Sequence, residues 1–275
     1  MNAPAACRIG PVTIGAGRLA LIGGPCQAES LDLCLAVAER LAEVCGRLGI
    51  GYVFKASYDK ANRTSLDAPR GPGLDQGLEW LAAVRQRVGV PVLSDVHDAA
   101  QAARAGEVLD AIQIPAFLCR QTDLLLAAGR TGRAVNIKKG QFVAPARMRF
   151  AVEKVRSTGN DNVLLTERGA CFGYDLLVND FRAIPVMREF APVVFDATHS
   201  VQQPGTAEAT GGQRQFVPVL ARAAAAAGCD AVFIETHPDP ANAASDAACQ
   251  WPLDGMENLL RTCLDIFAAA REDAC

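Results

Sequence analysis

The chain has 275 residues, of which 50% are hydrophobic and 21% are charged, and its formal net charge at pH 7 is -3. Since the sequence has no block of Lys or Arg, it excludes a nucleic-acid groove and a surface that binds anionic membranes, and no apolar stretch is long enough to span a bilayer. The first residues lack the apolar core of a secretory signal, so we expect a cytoplasmic protein.

The predicted elements begin with a small hairpin, CRIGPVTIG followed by GRLA, which we expect to plug the base of a barrel. Eight strands come next, and several are continuous apolar runs such as YVF and VPVL, as is typical of parallel strands that are buried on both faces. The predicted strands are Leu19–Gly24, Gly51–Ala56, Val90–Asp95, Ala111–Pro115, Ala134–Lys138, Val163–Glu167, Val193–Ala197 and Ala231–Thr236.

A helical pattern follows each predicted strand. In the first helix the apolar residues are three and four positions apart, and Ser30 stands where its hydroxyl can cap the N-terminus. Pro185 is expected to distort the sixth helix. The predicted helices are Leu31–Leu48, Leu74–Val88, Ala99–Ala105, Thr122–Gly129, Pro145–Ser157, Asp180–Arg188, Gln213–Ala227 and Leu253–Ala270.

Eight βα units in succession predict a closed (β/α)8 TIM barrel. The alternative, an open doubly wound sheet, is disfavoured because no glycine-rich dinucleotide fingerprint follows the first strand. No linker or low-complexity segment interrupts the pattern. We therefore predict one catalytic domain over residues 1–275, with its chemistry at the C-terminal ends of the strands.

Four potential metal ligands follow predicted strands. Cys26 comes after the first strand, His199 after the seventh and Glu235 at the end of the eighth, and Asp246 lies in the last loop. A thiolate, an imidazole and two carboxylates suit a divalent transition ion such as Mn, Fe, Co or Zn. On sequence spacing alone, two further histidines compete for the same role, namely His97 and His237.

A set of cations also leaves the strand ends. Because so many converging cations would repel one another, we expect phosphate and carboxylate groups to bind among them. No Walker sequence is present, which disfavours a nucleoside triphosphate. We expect Lys139 and Arg70 merely to solvate loops. The converging cations are Lys55, Lys60, Arg63, Lys138 and Arg168.

An ordered series of motifs resembles the 3-deoxy-D-manno-octulosonate 8-phosphate synthases. The motifs are FKASYDKANRTS, IQIPAFLCRQTDL, VNIKKGQF, TERGACFGYDLL and DATHSVQQPG with ETHPDP, and the likeness runs from about Leu19 to Leu253. Metal-independent members of that family carry Asn where this chain has Cys26 in GGPCQAES, and SDAACQWPL around Asp246 is similar to the metal-requiring branch. The resemblance therefore implies a metal held by Cys26, His199, Glu235 and Asp246.

The resemblance also implies the substrates and the residues that bind them. Phosphoenolpyruvate would lie on Lys60, Lys138 and Arg168. The side chains expected near it are Lys55, Ser57 and Gln113. The residues expected to receive D-arabinose 5-phosphate are Asn62, Arg63, Thr64 and Asp95. A neighbouring subunit of a homotetramer would contribute Arg120, with Phe117 at that interface, and Gln202 would begin a flexible lid that extends to Gly212. The residues expected to act in catalysis are Asp95, His199, Lys60 and Cys26.

Three alternatives stay open at this point. A 3-deoxy-D-arabino-heptulosonate 7-phosphate synthase would use erythrose 4-phosphate, but its segment after the second strand typically reads KPRTS, so Asn62 in KANRTS favours the five-carbon sugar. A Schiff-base aldolase could use Lys55 or Lys138, although the metal-ligand set would then be unexplained. A non-catalytic sensor of sugar phosphates would not need every ligand and cation, and none is missing here.

Overall fold

Eight parallel strands form a closed barrel in the computed structural model, which describes residues 6–63, 65–171, 176–203 and 211–272. Each strand pairs with the next one along the chain, and the register of the eighth against the first closes the ring, with Glu235 opposite Gly24. The predicted (β/α)8 TIM barrel is confirmed. The strands are β1 (Ala20–Gly24), β2 (Gly51–Lys55), β3 (Val92–Asp95), β4 (Ala111–Ile114), β5 (Ala134–Lys138), β6 (Val163–Glu167), β7 (Val193–Asp196) and β8 (Ala231–His237).

A helix follows each strand on the outside of the barrel. The first begins as predicted, because the Leu33 N–H donates to Ser30 Oγ at 3.1 Å, and it ends at Gly49, whose φ of 67° lies in the left-handed region that favours glycine. The helices are α1 (Leu31–Leu48), α2 (Leu74–Val88), α3 (Ala99–Val108), α4 (Thr122–Arg130), α5 (Arg149–Arg156), α6 (Ala183–Arg188), α7 (Val217–Ala226) and α8 (Met256–Glu272).

Four helices begin later than the sequence predicts, three of them after a short 3-10 turn. The segments Pro145–Met148, Arg214–Phe216 and Leu253–Gly255 are short 3-10 turns that precede α5, α7 and α8. Helix α6 also starts late, at Ala183, so that Pro185 lies in its first turn, where a backbone N–H has no helical partner. Pro185 therefore shortens α6 rather than bending it.

A two-stranded hairpin closes the base of the barrel, as predicted. Strands Cys7–Ile9 and Val12–Ile14 pair antiparallel, and GRLA leads into β1 instead of belonging to the hairpin. Cys7, Ile9 and Ile14 are fully buried, and they join one apolar cluster with inward residues of the barrel strands, among them Ile22 and Phe233. A second and larger apolar core lies between the strands and the surrounding helices.

Several short elements extend the opposite, C-terminal end. Strand Trp251–Pro252 pairs with the end of β8, Ala170–Cys171 pairs with Leu177–Val178, and Gln202–Gln203 pairs with Gly211–Gly212. Three 3-10 turns also lie on this side, at Ala116–Leu118, His199–Val201 and Pro240–Asn242. Among the helices of the described residues, none has the length and apolarity needed to cross a membrane.

Candidate active site

A cavity of about 470 Å³ opens at the C-terminal ends of the strands, and loops that follow β2 to β8 contribute to its wall. Residues predicted to bind substrate dominate the lining. The structure brings together Lys55, Ser57, Lys60, Asn62, Arg63, Asp95, Gln113, Phe117, Lys138, Arg168 and Gln202. Thr64 lies outside the described residues. Arg120 is exposed on its own subunit and does not line this cavity.

Three predicted metal ligands meet at the floor of the cavity. One donor atom from each of Cys26, Glu235 and Asp246 lies within 4.8 Å of the other two. The Cys26 thiol is fully buried, with Sγ 3.3 Å from Asp246 Oδ2 and 3.0 Å from Ser245 Oγ. Glycine at position 24 allows the end of β1 to pack closely against the end of β2, because a Cβ there would lie 2.1 Å from the Lys55 carbonyl oxygen.

His199, the fourth predicted ligand, faces the same point. Its Nε2 lies 3.7 Å from Glu235 Oε2 and 3.6 Å from Asp246 Oδ2. Its other ring nitrogen, Nδ1, is 2.8 Å from Asp196 Oδ2, and its backbone N–H donates to Asp196 Oδ1 at 2.8 Å. A carboxylate that accepts the Nδ1 proton leaves the Nε2 lone pair free for a metal ion.

Glu235 carries the clearest sign that the cluster fits a cation. Its Oε1 accepts a hydrogen bond from Lys55 Nζ at 2.6 Å, whereas Oε2 is buried and has no hydrogen-bond partner. Burial opposes ionisation, but the neighbouring Lys55, His199 and Lys60 hold the pKa of the Glu235 carboxyl well below its usual range. A buried carboxylate oxygen without a partner is costly, and a metal ion at this point would remove that cost.

The Cys26 thiol titrates in the opposite direction. Burial raises its pKa well above the ordinary value, and the nearby Asp246 and Glu235 carboxylates raise it further, while Lys60 and Lys55 lower it. The pKa therefore favours a neutral thiol until a divalent ion offsets the carboxylates, and a thiol that coordinates a metal loses its proton. The donor set of one sulfur, one imidazole and two carboxylates suits a transition ion.

Asp246 adopts an unusual backbone conformation, with φ 46°, in the left-handed region that non-glycine residues rarely occupy. Its carbonyl accepts the N–H groups of Cys249 and Gln250, and Arg214 donates to the neighbouring Ala247 carbonyl. Gln250 also accepts the Cys26 N–H at 3.2 Å. The loop is thus bonded to itself and to the end of β1 in a way that turns the Asp246 carboxylate toward the cluster.

Two of the predicted cations, Lys55 and Lys138, are paired with carboxylates, whereas Arg168 is bonded to an amide. Lys138 Nζ donates to Asp196 Oδ2 and lies 3.4 Å from the centre of the Phe233 ring. Burial lowers the pKa of Lys138, although Asp196 acts against this shift. Arg168 donates through Nη2 to Gln202 Oε1 at 2.7 Å, and its Nη1 is buried without a partner. Such a donor in a cavity wall is a ready partner for an anionic oxygen.

A second hydrogen-bonded chain crosses the wall beside β3. Ser57 Oγ donates to Asp95 Oδ1 at 2.5 Å and accepts from Lys60 Nζ at 3.0 Å, while His97 Nε2 lies 3.0 Å from Asp95 Oδ2. Burial opposes ionisation of Asp95, but its bond to His97 and the charges of Lys55 and Lys60 hold its pKa well below the usual range. The chain fixes an anionic carboxylate next to an ammonium group at the cavity.

The rim of the cavity is more exposed. Arg63 donates through Nη2 to Gln27 Oε1 at 3.0 Å and to the Ala244 carbonyl at 3.3 Å, which ties the loop after β2 to the loops of β1 and β8. Asn62 is exposed, and Phe117 is 58% exposed at the mouth.

The structure distinguishes among the three histidines that the sequence allowed as metal ligands. His97 bonds to Asp95 and Gln101, and His237 accepts the Asp239 N–H, so neither replaces His199 beside the carboxylates. The expectation for Lys139 is wrong, because its ammonium is buried among the carbonyls of Gly140, Val143 and Gly169 and near Glu167. Arg70 is exposed and paired with Asp59, as expected.

Three site residues were not singled out from the sequence, namely Asp196, Ser245 and Gln250. Asp196 ends β7 immediately before the ATH segment, and that position at a barrel strand end was the available signal. Ser245 and Gln250 flank Asp246 in a loop without secondary-structure periodicity. No sequence pattern indicates that these two contact Cys26 from more than 200 residues away, at separations of 219 and 224 positions.

Comparison with known proteins gives one family. The model described as the DAHP synthetase I family matches residues 4–270. A 2-dehydro-3-deoxyphosphooctonate aldolase of Koribacter versatilis is 55% identical over 271 residues, which cover 97% of this chain and 98% of the relative. A protein of the same name from Syntrophotalea carbinolica is 57% identical over 98% of both chains. Another, from Granulibacter bethesdensis, is 60% identical over 88% of this chain and 86% of the relative. The chain therefore belongs to the DAHP synthetase I family and, within it, to the 2-dehydro-3-deoxyphosphooctonate aldolases.

Proposed function

We propose that the chain catalyses the metal-dependent condensation of phosphoenolpyruvate with D-arabinose 5-phosphate and water. The products are 3-deoxy-D-manno-octulosonate 8-phosphate, a precursor for lipopolysaccharide, and inorganic phosphate. The observation that carries the proposal is that the cavity lined by the converging cations is also lined by Asp246 and His199, and that Asp246 belongs to the Cys26, Glu235 and Asp246 cluster. The name borne by relatives at 55–60% identity supports the same reaction.

Phosphoenolpyruvate has a phosphate and a carboxylate, and it needs several donors in a confined space. Arg168 offers the buried Nη1 that has no partner, and the ammonium groups of Lys60 and Lys138 line the same cavity. Lys55, Ser57 and Gln113 surround this position and fix its shape through bonds to Glu235, Asp95 and Asn136, respectively. These cations offset the negative charge of the substrate, which is the electrostatic contribution that a preorganised site makes.

Cys26, His199, Glu235 and Asp246 would hold one divalent transition ion, with Mn, Fe, Co and Zn as the candidates. When bound, such an ion supplies a Lewis acid that polarises a carbonyl oxygen or lowers the pKa of a water molecule. Asp196 keeps the His199 ring turned toward this point, and Lys55 keeps Glu235 ionised.

The reaction forms a carbon–carbon bond and a bond between C2 and the water oxygen, and it breaks the bond between C2 and the phosphate oxygen. The enol carbon C3 of phosphoenolpyruvate bonds to the aldehyde carbon of the sugar, whose oxygen takes up a proton. Water adds its oxygen to C2 and gives up one proton, and C2 becomes the ketone when inorganic phosphate leaves with the second proton. Asp95 orients a sugar hydroxyl or the reacting water through its free lone pairs. Lys60 and Lys138 stabilise the phosphate as it leaves.

The other end of the sugar would lie at the exposed rim. Asn62, Arg63 and Thr64 would receive the sugar phosphate, and Arg120 of a neighbouring subunit would complete its binding site. The exposed Phe117 at the cavity mouth supports an interface at this position. A homotetramer located in the cytoplasm belongs to the same proposal, and so does a lid from Gln202 to Gly212, of which residues 204–210 lie outside the part of the chain that the structure describes.

The test follows the loss of phosphoenolpyruvate with D-arabinose 5-phosphate in untreated, chelator-treated and metal-restored samples. We expect consumption that the chelator stops and that Mn²⁺ or Co²⁺ restores. If the chelator does not change the consumption of phosphoenolpyruvate, the proposed reaction is retained and its dependence on a metal is wrong. Consumption with erythrose 4-phosphate alone would overturn the choice of sugar, and no consumption with either sugar would leave a binding protein.

A further inference from the structure

Gln202 joins the anion-binding side of the cavity to the metal-ligand cluster. Its Oε1 accepts a hydrogen bond from Arg168 Nη2 at 2.7 Å, and its Nε2 donates to Asp246 Oδ2 at 3.0 Å. One amide thus spans from a guanidinium that faces the cavity to a carboxylate of the Cys26, Glu235 and Asp246 cluster. By the family resemblance, Gln202 was expected to bind substrate and to begin a lid, and neither partner of its amide was predicted.

The orientation of this amide is fixed by its two partners. A guanidinium only donates hydrogen bonds and an ionised carboxylate only accepts them, so the oxygen of Gln202 must face Arg168 and its nitrogen must face Asp246. Any shift of either partner therefore changes the bond at the other end of the amide. A flipped amide would break both bonds, so the bridge has one arrangement.

Few other contacts hold the partners in place on this side. Among the described contacts, Asp246 Oδ2 accepts hydrogen bonds from two side chains, the Cys26 thiol at 3.3 Å and the Gln202 amide at 3.0 Å. On the other side, the Arg168 Nη1 has no partner within the protein, and its Nη2 is bonded to Gln202. An anion bound to Nη1 would fix the plane of the Arg168 guanidinium, and Gln202 is bonded to the same guanidinium through Nη2.

We propose that Gln202 is a positioning residue that makes the binding of a divalent cation at Cys26 and Asp246 and the binding of phosphoenolpyruvate at Arg168 depend on each other. The inference rests on the proposed function, because it requires a metal and this substrate in the cavity. By linkage, each ligand then raises the affinity for the other by the same factor. Direct attraction between the cation and the anion contributes to that factor, and the Gln202 bridge adds to it.

The experiment measures the affinity for Mn²⁺ at buffered free metal, with and without saturating phosphoenolpyruvate and without any sugar, so that no turnover occurs. The ratio of the two affinities is determined for the wild type, for Gln202→Met and for Gln213→Met. Methionine matches glutamine in length and lacks both hydrogen bonds. Gln213 is a matched control, since it follows the same short hairpin and its described hydrogen bonds, to Val201 and Phe216, use its backbone.

We expect phosphoenolpyruvate to tighten Mn²⁺ binding to the wild type, and we expect the ratio to fall by about five-fold in Gln202→Met, the lower end of typical coupling between two sites. Gln213→Met should keep the wild-type ratio. A general structural defect would weaken both affinities without changing their ratio.

An equal ratio in the wild type and Gln202→Met would overturn the inference and leave the proposed function intact, and so would an equal fall in both variants. If the wild type binds no Mn²⁺ at all, or binds no phosphoenolpyruvate, the proposed function fails together with the inference. The consumption assay described above separates these two cases, because it requires turnover and the affinity ratio does not.

Discussion

Val53 and Lys55 lie two residues apart on β2, where side chains at that spacing share one face of the strand, yet the first belongs to the apolar cluster inside the barrel and the second lines the cavity. The same change occurs on the other strands. The inward pairs include Leu93 and Asp95, Ala111 and Gln113, Val194 and Asp196, and Phe233 and Glu235. The inward-facing side chains are therefore apolar at the base of the barrel and polar or charged at its mouth, and only two residues along each strand separate the two kinds.

The difference teaches where stability and function are located. At the base, the hairpin covers the strands with fully buried apolar groups, which stabilise the fold in proportion to the area that they remove from water. At the mouth, the buried charges occur as pairs such as Lys55 with Glu235 and Lys138 with Asp196. Buried pairs contribute little net stability, because desolvation offsets their attraction. They are better explained as a site that is arranged for charged ligands.

The largest effect is expected at the mouth. Cys26→Ala removes the only sulfur of the Cys26, Glu235 and Asp246 cluster, so we expect bound metal to be lost and kcat/KM to fall by more than about 100-fold, since even residues that only support a ligand cost 10–100-fold. Metal content and phosphoenolpyruvate consumption measure the two effects.

Cys34→Ala is the matched control, because Cys34 is equally buried but lies in α1 within the outer apolar core. It should retain its metal. By the family resemblance, Cys26→Asn should show activity that a chelator does not affect. Full activity with a full complement of metal in Cys26→Ala would contradict the metal assignment.

The base should respond in the opposite way. Ile9→Ala leaves a cavity in the fully buried plug, and we expect the free energy of unfolding to fall by about 2–5 kcal/mol, while kcat/KM per folded molecule stays at the wild-type value. Denaturant unfolding and the consumption assay give the two numbers. Thr13→Ala, an exposed position on the same hairpin, should change stability by less than about 0.5 kcal/mol. Lost activity with unchanged stability in Ile9→Ala would erase the division between the two ends.

A smaller effect should sharpen the role of the paired charges at the mouth. Asp196→Asn removes a carboxylate whose Oδ2 accepts from both His199 Nδ1 and Lys138 Nζ and whose Oδ1 accepts the His199 backbone N–H, and an amide group cannot accept at both of its atoms. We expect Mn²⁺ affinity to fall by about 10–100-fold and KM for phosphoenolpyruvate to rise. Asp180→Asn, at an exposed carboxylate, serves as the control. Unchanged Mn²⁺ affinity in Asp196→Asn would show that His199 needs no such support.

Much of the barrel and its site could be predicted from the sequence, because the assignment of a strand also determines which of its side chains point into the barrel. Once β2 is placed, Lys55 must point inward two positions after Val53, and the same rule places Asp95 and Glu235. Parallel strands that are buried on both faces read as apolar runs, and this made all eight strands recognisable to within two residues at each end among the described residues. The hairpin was recognisable for a related reason, since its short apolar alternation surrounds a Gly-Pro turn.

The rest depends on loops that fold over one another. Lys138 and Lys139 are adjacent and identical in type, yet one ammonium contacts Asp196 inside the barrel and the other is enclosed by three loop carbonyls behind the site. Neither environment has a sequence signature, because the contacting residues are distant in the chain. The same reason hid the contact of Ser245 with Cys26, and the double use of Asp196 can be seen only when both of its partners are in place.

The smallest expected effect concerns pH. Burial disfavours the charged form of His97, but its bond to Asp95 and the charges of Asp95 and Asp59 raise its pKa above the ordinary value of a histidine in the folded protein. A group with a raised folded-state pKa contributes stability that is fully present below the unfolded pKa and is lost as the pH rises through the folded one. The wild type should therefore lose part of its stability as the pH rises from about 6 through the raised value.

His97→Gln should remove this part of the pH dependence, because glutamine does not titrate. We expect the difference in Tm between pH 6 and pH 9 to shrink by less than about 4 °C, the most that 1 kcal/mol usually shifts Tm in a domain of 150–250 residues. Thermal unfolding of both proteins at several pH values measures it, with chelator present so that metal binding does not contribute. His237→Gln is the control, since His237 accepts a backbone N–H and lies 3.8 Å from Glu29 rather than in a close ion pair. If His97→Gln keeps the full pH dependence, the Asp95–His97 pair contributes no proton-linked stability. The hydrogen-bonded chain beside β3 would then serve only to hold its side chains in place.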